Sequence, residues 1–340
     1  MRSPQWSTSA RILRWLVSLP IIVGSFCPPV MAQTSLHRIW RDDTGGTAYG
    51  VEVSGGWVYV SNNVGVSIYD VRDPDHPRFV SLVDTAGAFG MSAVGNTLYV
   101  AAIHEGLLIF DVTDPANPRQ IGSYGRNVSD VLVHDDVAYV RVMYGGDGEI
   151  VDVSDPARPV LLTQIDSINS AVAVGNNLWV GMVGRGVVHL DISDPASPSE
   201  IGIISGTAAV VSLELREDHL YVAMYQSGTR VYDVSNPSVP RQIFSAPETG
   251  ESWHVSGEYP IACVADLQEG VEILDMTCSQ GDCLLIREDT LAPHELYCLD
   301  RYVHVADQDE GYVLLWLEHR WPPRRATGRR QPLSGPGAHH

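Results

Sequence analysis

Residues 97–115 read TLYVAAIHEGLLIFDVTDP, and this stretch contains the pattern on which most of the chain is built. Two runs rich in β-branched, aromatic and aliphatic residues are separated by a polar turn that ends in glycine, and the second run leads into Asp-x-x-Asp-Pro. β-branched and aromatic residues favour strands, whereas Gly, Asp and Pro favour turns. The stretch therefore predicts two neighbouring strands followed by a tight turn.

The Asp-x-x-Asp-Pro turn recurs along the chain at a nearly constant spacing. Five clear copies begin at Asp70, Asp111, Asp152, Asp191 and Asp233, and a decayed sixth copy begins at Asp275. Trp316 occupies the corresponding position of a seventh unit. The steps between them are 41, 41, 39, 42, 42 and 41 residues. Self-similarity at a fixed period of about 40 residues is the sequence signature of a repeat architecture.

Each unit contains four short strand signals, which in the second unit are 87–94, 97–102, 107–112 and 119–124. No part of the repeat region shows the periodicity of an amphipathic helix. Seven such units predict an all-β fold, a seven-bladed β-propeller with four antiparallel strands per blade. A single blade cannot bury both of its faces, so the units stabilise one another in a ring.

The seventh unit offers only three strands, at 293–299, 302–306 and 311–317. A surplus strand lies at the other end of the repeats, where residues 37–42 resemble the outer strand of the other units. We expect this strand to pair beside the third strand of the last blade. This pairing would close the ring and remove an exposed sheet edge.

The motif Gly-x-x-Ile-x-Asp-Val-x-Asp-Pro after Tyr-Val-Ala resembles the LVIVD repeat, a family of exported bacterial and archaeal proteins. The resemblance covers residues 37–318, with five clear copies and two degenerate ones. It implies a propeller fold and a location outside the cytoplasm. It implies no general enzymatic activity.

The charge of the chain is strongly acidic, with 41 Asp and Glu against 22 basic residues, all of which are Arg. The formal net charge is −19, and it becomes −27 for the body without the three arginines before residue 15 and the five after residue 319. Such a body repels phosphate backbones and anionic membrane surfaces. We therefore expect a protein or small-molecule partner, no nucleic acid, and a monomer.

The first 32 residues predict an export signal. Arg11 and Arg14 precede the short apolar run 16–26, and small residues follow at 30–32. That run is too short to span a membrane comfortably, and no other segment has the ~20 apolar residues required. The predicted domains are a signal peptide at 1–32, the propeller at 33–318 and a disordered Arg/Pro-rich tail at 319–340. Cleavage would leave the protein in the periplasm or outside the cell.

Four cysteines remain after the predicted signal peptide, within 36 residues of one another. An even number of cysteines in an exported chain suggests disulfides. We expect Cys278 to pair with Cys283 across a turn, and Cys263 to pair with Cys298 between blades 6 and 7. A zinc site is the alternative, although the spacing has no partner CxxC motif.

Function in a propeller usually lies where the inner strands begin, at the mouth of the central channel. Alignment of the inner strands gives one column of residues that can face this channel: Gly50, Gly90, Asp130, Ser170, Ser212, His254 and Glu295. The preceding position adds Trp253 and His294. The predicted binding residues at the mouth are Asp130, Ser170, Ser212, Trp253, His254, His294 and Glu295.

Two hypotheses of function follow from this column. The first is a non-catalytic binding or scaffold protein with no cofactor and no catalytic residue, in which the polar column lines a wet channel. The second is a metal-dependent hydrolase or lyase in which His254, His294 and Glu295 bind a divalent metal, because imidazole and carboxylate are suitable ligands. Asp266 and Asp307, at matching positions after the second strand, are assigned to turns because Asp side chains can bond nearby backbone N–H groups.

Overall fold

The computed structural model describes residues 35–318, except 144–146, 167, 183, 247–249 and 279–282. Within these residues the chain forms seven four-stranded antiparallel sheets and no helix. The innermost strand of each sheet contacts the innermost strand of the next, and that of the seventh contacts that of the first. The predicted seven-bladed propeller is confirmed. The predicted signal peptide and C-terminal tail lie outside the described residues, so the domain boundaries remain predictions.

The first three blades follow one another along the chain, each with its strands in sequence order from the channel outward. Blade 1 contains β2 (Ala48–Ser54), β3 (Trp57–Asn62), β4 (Gly65–Asp70) and β5 (Arg78–Asp84). Blade 2 contains β6 (Ala88–Val94), β7 (Thr97–Ala102), β8 (Gly106–Asp111) and β9 (Arg119–Tyr124). Blade 3 contains β10 (Val128–His134), β11 (Val137–Val142), β12 (Gly148–Asp152) and β13 (Val160–Ile165).

The next three blades repeat the same order. Blade 4 contains β14 (Ser170–Val174), β15 (Asn177–Met182), β16 (Gly186–Asp191) and β17 (Ser199–Ile204). Blade 5 contains β18 (Ser212–Arg216), β19 (His219–Ala223), β20 (Thr229–Asp233) and β21 (Arg241–Ala246). Blade 6 contains β22 (Ser252–Glu258), β23 (Ile261–Asp266), β24 (Gly270–Asp275) and β25 (Leu284–Glu288).

Blade 7 joins the two ends of the described chain. It contains β26 (Pro293–Leu299), β27 (Tyr302–Asp307) and β28 (Gly311–Glu318), and its outermost strand is β1 (Ser35–Asp42). The antiparallel register runs from Ser35 opposite Glu318 to Asp42 opposite Tyr312. Trp40 packs edge-on against Tyr312 and Tyr69, so β1 also contacts blade 1. The predicted closure by the N-terminal strand is confirmed.

The hydrophobic core of the described residues is divided into seven clusters, one between each pair of neighbouring blades. Between blades 1 and 2, for example, Val66 and Ile68 pack with Leu98 and Val100, all fully buried. The cluster that joins blades 7 and 1 is built from the equivalent strands of those two blades. Each blade therefore covers a face of the next, as the repeat pattern predicts.

The Asp-x-x-Asp-Pro segments build the turns after the third strands. In the second copy, Asp111 accepts a hydrogen bond from the N–H of Thr113 at 3.0 Å, and Asp114 accepts one from the N–H of Ala116 at 3.1 Å. The first aspartate makes the same bond in the other five copies. Such side-chain bonds to the backbone two residues on stabilise a turn. The recurring aspartates therefore have a structural role.

Both predicted disulfides are present in the structure. The first joins Cys263 of β23 to Cys298 of β26 with a Cα–Cα distance of 6.4 Å, and therefore links blade 6 to blade 7. The second joins Cys278 to Cys283, which follow β24 and precede β25, with a Cα–Cα distance of 5.5 Å. The inter-blade disulfide lies within the core cluster that these two blades share.

Candidate binding site at the channel mouth

The predicted column occupies equivalent positions on the inner strands. Except for Gly90, which lies in a register shift of β6, each member pairs with the fifth residue of the second strand in its blade. The pairs are Gly50–Ser61, Asp130–Arg141, Ser170–Gly181, Ser212–Ala223, His254–Ala265 and Glu295–Ala306. The alignment made from the sequence, including blades 6 and 7, is therefore the alignment in the structure.

These side chains surround a cavity of about 480 Å³ at the start of the inner strands. All seven predicted binding residues line it, together with residues from blades 1 and 2. Sites for small molecules commonly have volumes of about 300–1,000 Å³. The cavity is therefore large enough for a small organic ligand.

Aromatic rings follow one another around one side of the mouth, and we call this set the aromatic arc: Tyr225, Trp253, His294, Tyr49 and Phe89. Tyr49 stacks on Phe89 with ring centroids 4.2 Å apart, and its ring meets that of His294 edge-on at 5.8 Å. The centroids of His294 and Trp253 are 5.4 Å apart, and Tyr225 meets Trp253 edge-on at 6.2 Å. The arc spans blades 5, 6, 7, 1 and 2.

His294 holds the middle of the arc through two hydrogen bonds. The indole N–H of Trp253 donates to Nε2 of His294 at 3.0 Å, and Nδ1 of His294 lies 2.6 Å from the carbonyl oxygen of Tyr49. A carbonyl can only accept, so Nδ1 carries the proton and Nε2 the lone pair. Burial lowers the pKa of His294, which favours this neutral form. His294 therefore positions its aromatic neighbours in blades 6 and 1.

Two carboxyl groups lie over the glycines of the column. A Cβ on Gly90 would lie 2.1 Å from Oδ1 of Asp130, and a Cβ on Gly50 would lie 3.1 Å from Oε2 of Glu295. The glycines of blades 1 and 2 therefore leave space for side chains from blades 7 and 3. Asp130 therefore lies over Gly90, and Glu295 lies over Gly50.

The carboxyl groups at the mouth are hard to ionise. Burial raises the pKa of Glu295 well above its usual value, and the charges of Asp130 and Glu52 raise it further. Burial also raises the pKa of Asp130, although Arg141, its cross-strand neighbour on β11, acts in the opposite direction. These acids are therefore poorly compensated by charges of the protein.

His254 is a neutral imidazole beside Glu295. Burial, with a smaller effect from His294, lowers the pKa of His254 to about 3. Its Nε2 lies 3.8 Å from Oε1 of Glu295, which is too far for a hydrogen bond, and its Nδ1 is buried with no partner among the described residues.

A deeper level of the channel contains residues that the sequence analysis did not select. Glu52 and Glu214 line the same cavity, as does Tyr297. Arg216 pairs with Glu214 at 2.5 Å, and its guanidinium lies 4.2 Å from the centroid of the Tyr297 ring. Glu52, Glu214 and Tyr297 each lie two residues after the column, where strand alternation returns a side chain to the same face.

The two predicted serines contribute to the ring itself. Ser170 Oγ accepts a hydrogen bond from the N–H of Leu213 at 3.0 Å, which links blade 4 to blade 5. Ser212 is only 5% exposed, although it reaches the cavity wall. Ser170 therefore helps to hold blades 4 and 5 together at the mouth.

The described part of the chain does not provide a set of ligands for the metal of the second hypothesis. No group of three His, Cys, Asp or Glu side chains there is placed to hold a metal ion. His294, one of the three predicted ligands, already uses both ring nitrogens in hydrogen bonds. The structure therefore brings His254, His294 and Glu295 into one cavity without arranging them as a coordination sphere.

Asp266 and Asp307 act in turns, as the sequence analysis expected. Asp266 Oδ1 accepts hydrogen bonds from the N–H groups of Gln268 and Glu269, at 2.8 and 2.9 Å. Asp307 makes the corresponding bonds two and three residues on, at 3.0 and 2.9 Å. Asn62 does the same in blade 1. In blades 1, 6 and 7 the side chain at this position therefore stabilises the turn between the second and third strands.

Comparison with known families identifies the repeat. The LVIVD repeat matches residues 45–85, 88–126, 125–167, 169–206 and 205–246, which together make up more than half of the chain. The chain belongs to the LVIVD-repeat family. The matched LVIVD repeats correspond to blades 1 to 5, whereas blades 6 and 7, which carry His254 and Glu295, lie beyond them.

Solved structures are similar to this LVIVD-repeat protein in fold only. The β-propeller domain of Cps50 (Swd1) from Myceliophteria thermophila is 13% identical with a TM-score of 0.68, and the match covers 83% of this chain and 99% of that domain. The computationally designed Ika8 protein is 12% identical with a TM-score of 0.59, over 79% of this chain and 83% of that one. A search of curated proteins finds no match.

Proposed function

We propose that this protein is a non-catalytic binding protein that acts outside the cytoplasm and takes its ligand at the channel mouth. The observation that carries this proposal is the asymmetry of the mouth. Seven blades of one design would give seven equivalent inner strands, yet the equivalent positions differ: blades 1 and 2 have Gly50 and Gly90, whereas blades 3 and 7 have Asp130 and Glu295 and blade 6 has His254. A local binding site in a repeat ring arises from such departures from the repeat.

The arrangement of the polar groups favours binding over catalysis. His294 is held by hydrogen bonds on both ring nitrogens, and His254 has a pKa too low for proton uptake near neutral pH. A general base works best with a pKa near the operating pH. These groups are therefore better suited to hold a ligand than to transfer its protons.

Two observations support a location outside the cytoplasm. Disulfides persist mainly in oxidising compartments, and the structure contains two of them. The expected signal peptide points to the same compartment, although it lies outside the described residues. Within the described residues, the chain has no helix long and apolar enough to cross a membrane.

The proposal can be tested with a thermal-shift screen of the full chain against a library of small molecules. The variant His254→Ala/Glu295→Ala removes two side chains that face the cavity. It should not lower the free energy of unfolding by more than about 1 kcal/mol near neutral pH, because loss of a glutamate whose pKa is raised by burial offsets the lost packing contacts. Each library ligand that stabilises the native protein should bind this variant at least tenfold more weakly.

A matched control is Asp73→Ala/His76→Ala, which removes a carboxylate and an imidazole from a surface pair that is 67% and 80% exposed. The control should bind library ligands as the native protein does. If the site variant also keeps its affinity, the ligand binds elsewhere. If the site variant unfolds, these side chains are structural and the proposed site is wrong.

A further inference from the structure

The charges that line the cavity are out of balance. Four carboxyl side chains contribute to its wall, whereas Arg141 is the one arginine among the lining residues that the structure describes. The four acids are Glu52, Asp130, Glu214 and Glu295. The two histidines of the lining, His254 and His294, have lowered pKa values and add no positive charge near neutral pH. The cavity therefore favours a positively charged guest.

The protein leaves two of these acids without a close positive partner. Glu214 pairs with Arg216, and Asp130 lies opposite Arg141 in the sheet. Among the described residues, neither Glu52 nor Glu295 forms an ion pair with an arginine, and the charge of Arg216 lowers the pKa of Glu52 without a direct contact between the two side chains. A bound cation would supply the missing charge and favour the ionised carboxylates.

The aromatic arc borders the same cavity. Tyr49, Phe89, Trp253 and His294 all contribute to its wall. Aromatic faces attract cations, most strongly where water is excluded, and they also bury apolar groups. The hydrogen bonds of His294 to the indole of Trp253 and to the main chain of Tyr49 fix the rings of His294 and Trp253 before a ligand arrives, which lowers the entropic cost of binding.

We propose that this site, which rests on the binding function proposed above, selects a small organic cation: an ammonium or guanidinium group carried on an apolar body. The cationic group lies in the cavity between the carboxyl groups of Asp130 and Glu295, both of which line it. The apolar body lies against the aromatic arc. A bare metal ion fits less well, because the acids are spread over separate blades and no three of the described ligands converge.

The test compares an amine with a neutral molecule of the same shape. Titration calorimetry with the full chain measures the binding of phenethylamine, which is a cation at neutral pH, and of 2-phenylethanol. The amine should bind at least tenfold more tightly, and its affinity should fall with added salt because the attraction is electrostatic. An acetylated arginine tripeptide tests whether the same cation is accepted on a peptide, and calcium chloride tests a metal ion.

The variant Asp130→Asn/Glu295→Gln keeps the shape of the mouth and removes both carboxylates. It should bind the amine no more tightly than the native protein binds the alcohol. The control Asp84→Asn/Glu217→Gln makes the same change of charge at two exposed residues outside the cavity, and it should keep the preference for the amine. Should the site variant fail to fold, the variant Phe89→Leu can be used instead. It removes one aromatic face and should lower the affinity for the amine at least threefold.

The outcomes separate this inference from the function on which it rests. Equal binding of the amine and the alcohol would overturn the cation selectivity and leave a binding site for neutral ligands. Amine binding that survives in both Asp130→Asn/Glu295→Gln and Phe89→Leu would overturn the assignment of the cation to this mouth. Binding of calcium ions without the amine would overturn it in favour of a metal site. Failure of all these probes, with library ligands still bound, would refute the inference alone.

Discussion

The ionisation of Glu52 should make the protein less stable as the pH rises. Glu52 lies on β2 in the deeper level of the channel. Burial, reinforced by the charge of Glu214, raises the pKa of Glu52 from 4.5 to about 7, against the opposing effect of Arg216. The N–H of Ala93 also donates to this side chain. The variant Glu52→Gln keeps an oxygen acceptor for that bond and removes the charge.

The sign of the effect follows from linkage. A raised pKa means that the folded protein holds a proton which the unfolded chain releases at lower pH, so the stability contribution is present below about pH 4.5 and is lost as the pH rises through about 7. One pKa unit corresponds to about 1.36 kcal/mol, which sets an upper bound of about 3 kcal/mol. Because Glu52 is only partly buried, solvent screening reduces the expected loss to roughly 1–3 kcal/mol.

Urea unfolding of the native protein and of Glu52→Gln, at about pH 4 and about pH 8.5, measures this effect. The two proteins should have similar free energies of unfolding at the acidic pH, and the variant should be more stable by roughly 1–3 kcal/mol at the alkaline pH. The exposed Glu217→Gln serves as the control and should show no such divergence. A variant that is equally stable or less stable than the native protein at the alkaline pH would refute the reasoning.

Three further predictions concern the ring. Replacing Cys263 and Cys298 by alanine should lower the free energy of unfolding by roughly 3–4 kcal/mol, the chain-entropy value for a separation of 35 residues, and unchanged urea unfolding would contradict it. Deleting residues 35–43 uncovers the edge of β28 and should lower the unfolding midpoint or cause aggregation, which size-exclusion chromatography detects; a monomer of native stability would contradict the closure. A Cβ at Gly122 would lie 1.8 Å from a main-chain oxygen of the next blade, whereas at Gly202 nothing lies within 4 Å. Alanine should therefore cost more than about 1 kcal/mol at Gly122 and less than about 0.5 at Gly202, and equal unfolding midpoints would count against this packing.

The fold was predictable because its signals are local and repeated. The bond from Asp111 to the backbone of the same turn needs only neighbouring residues, so the motif appears directly in the sequence. The number of blades follows from the period, and the role of residues 37–42 follows from the absent strand of the seventh unit. The core between blades then requires that the second and third strands be apolar on both faces, because each face packs against a neighbouring blade.

The site was predictable only at the level of which residues face the channel. The column placed Asp130 and Glu295 at one height, but the lean of their carboxyl groups over Gly90 and Gly50 depends on side-chain orientation between blades. Strand alternation contained the signal for Glu52 and Glu214, which lie two residues beyond the column. Tyr225 follows a second strand, outside any inner-strand alignment, so its place in the aromatic arc depends on the packing of blades 5 and 6.

The pairing of β1 with β28 has a consequence for the order of folding. Ser35 and Glu318, which are opposite each other in this sheet, are separated by 283 residues, so the first of the described strands to leave the ribosome acquires its partner last. Blades 1 to 6 are each contiguous in sequence and can form one after another, whereas blade 7 waits for the end of the repeats. Loop closure over such a distance slows folding. Until it occurs, the edge of β1 and the open face of blade 1 remain exposed, and a chaperone that protects this protein while it folds would act there.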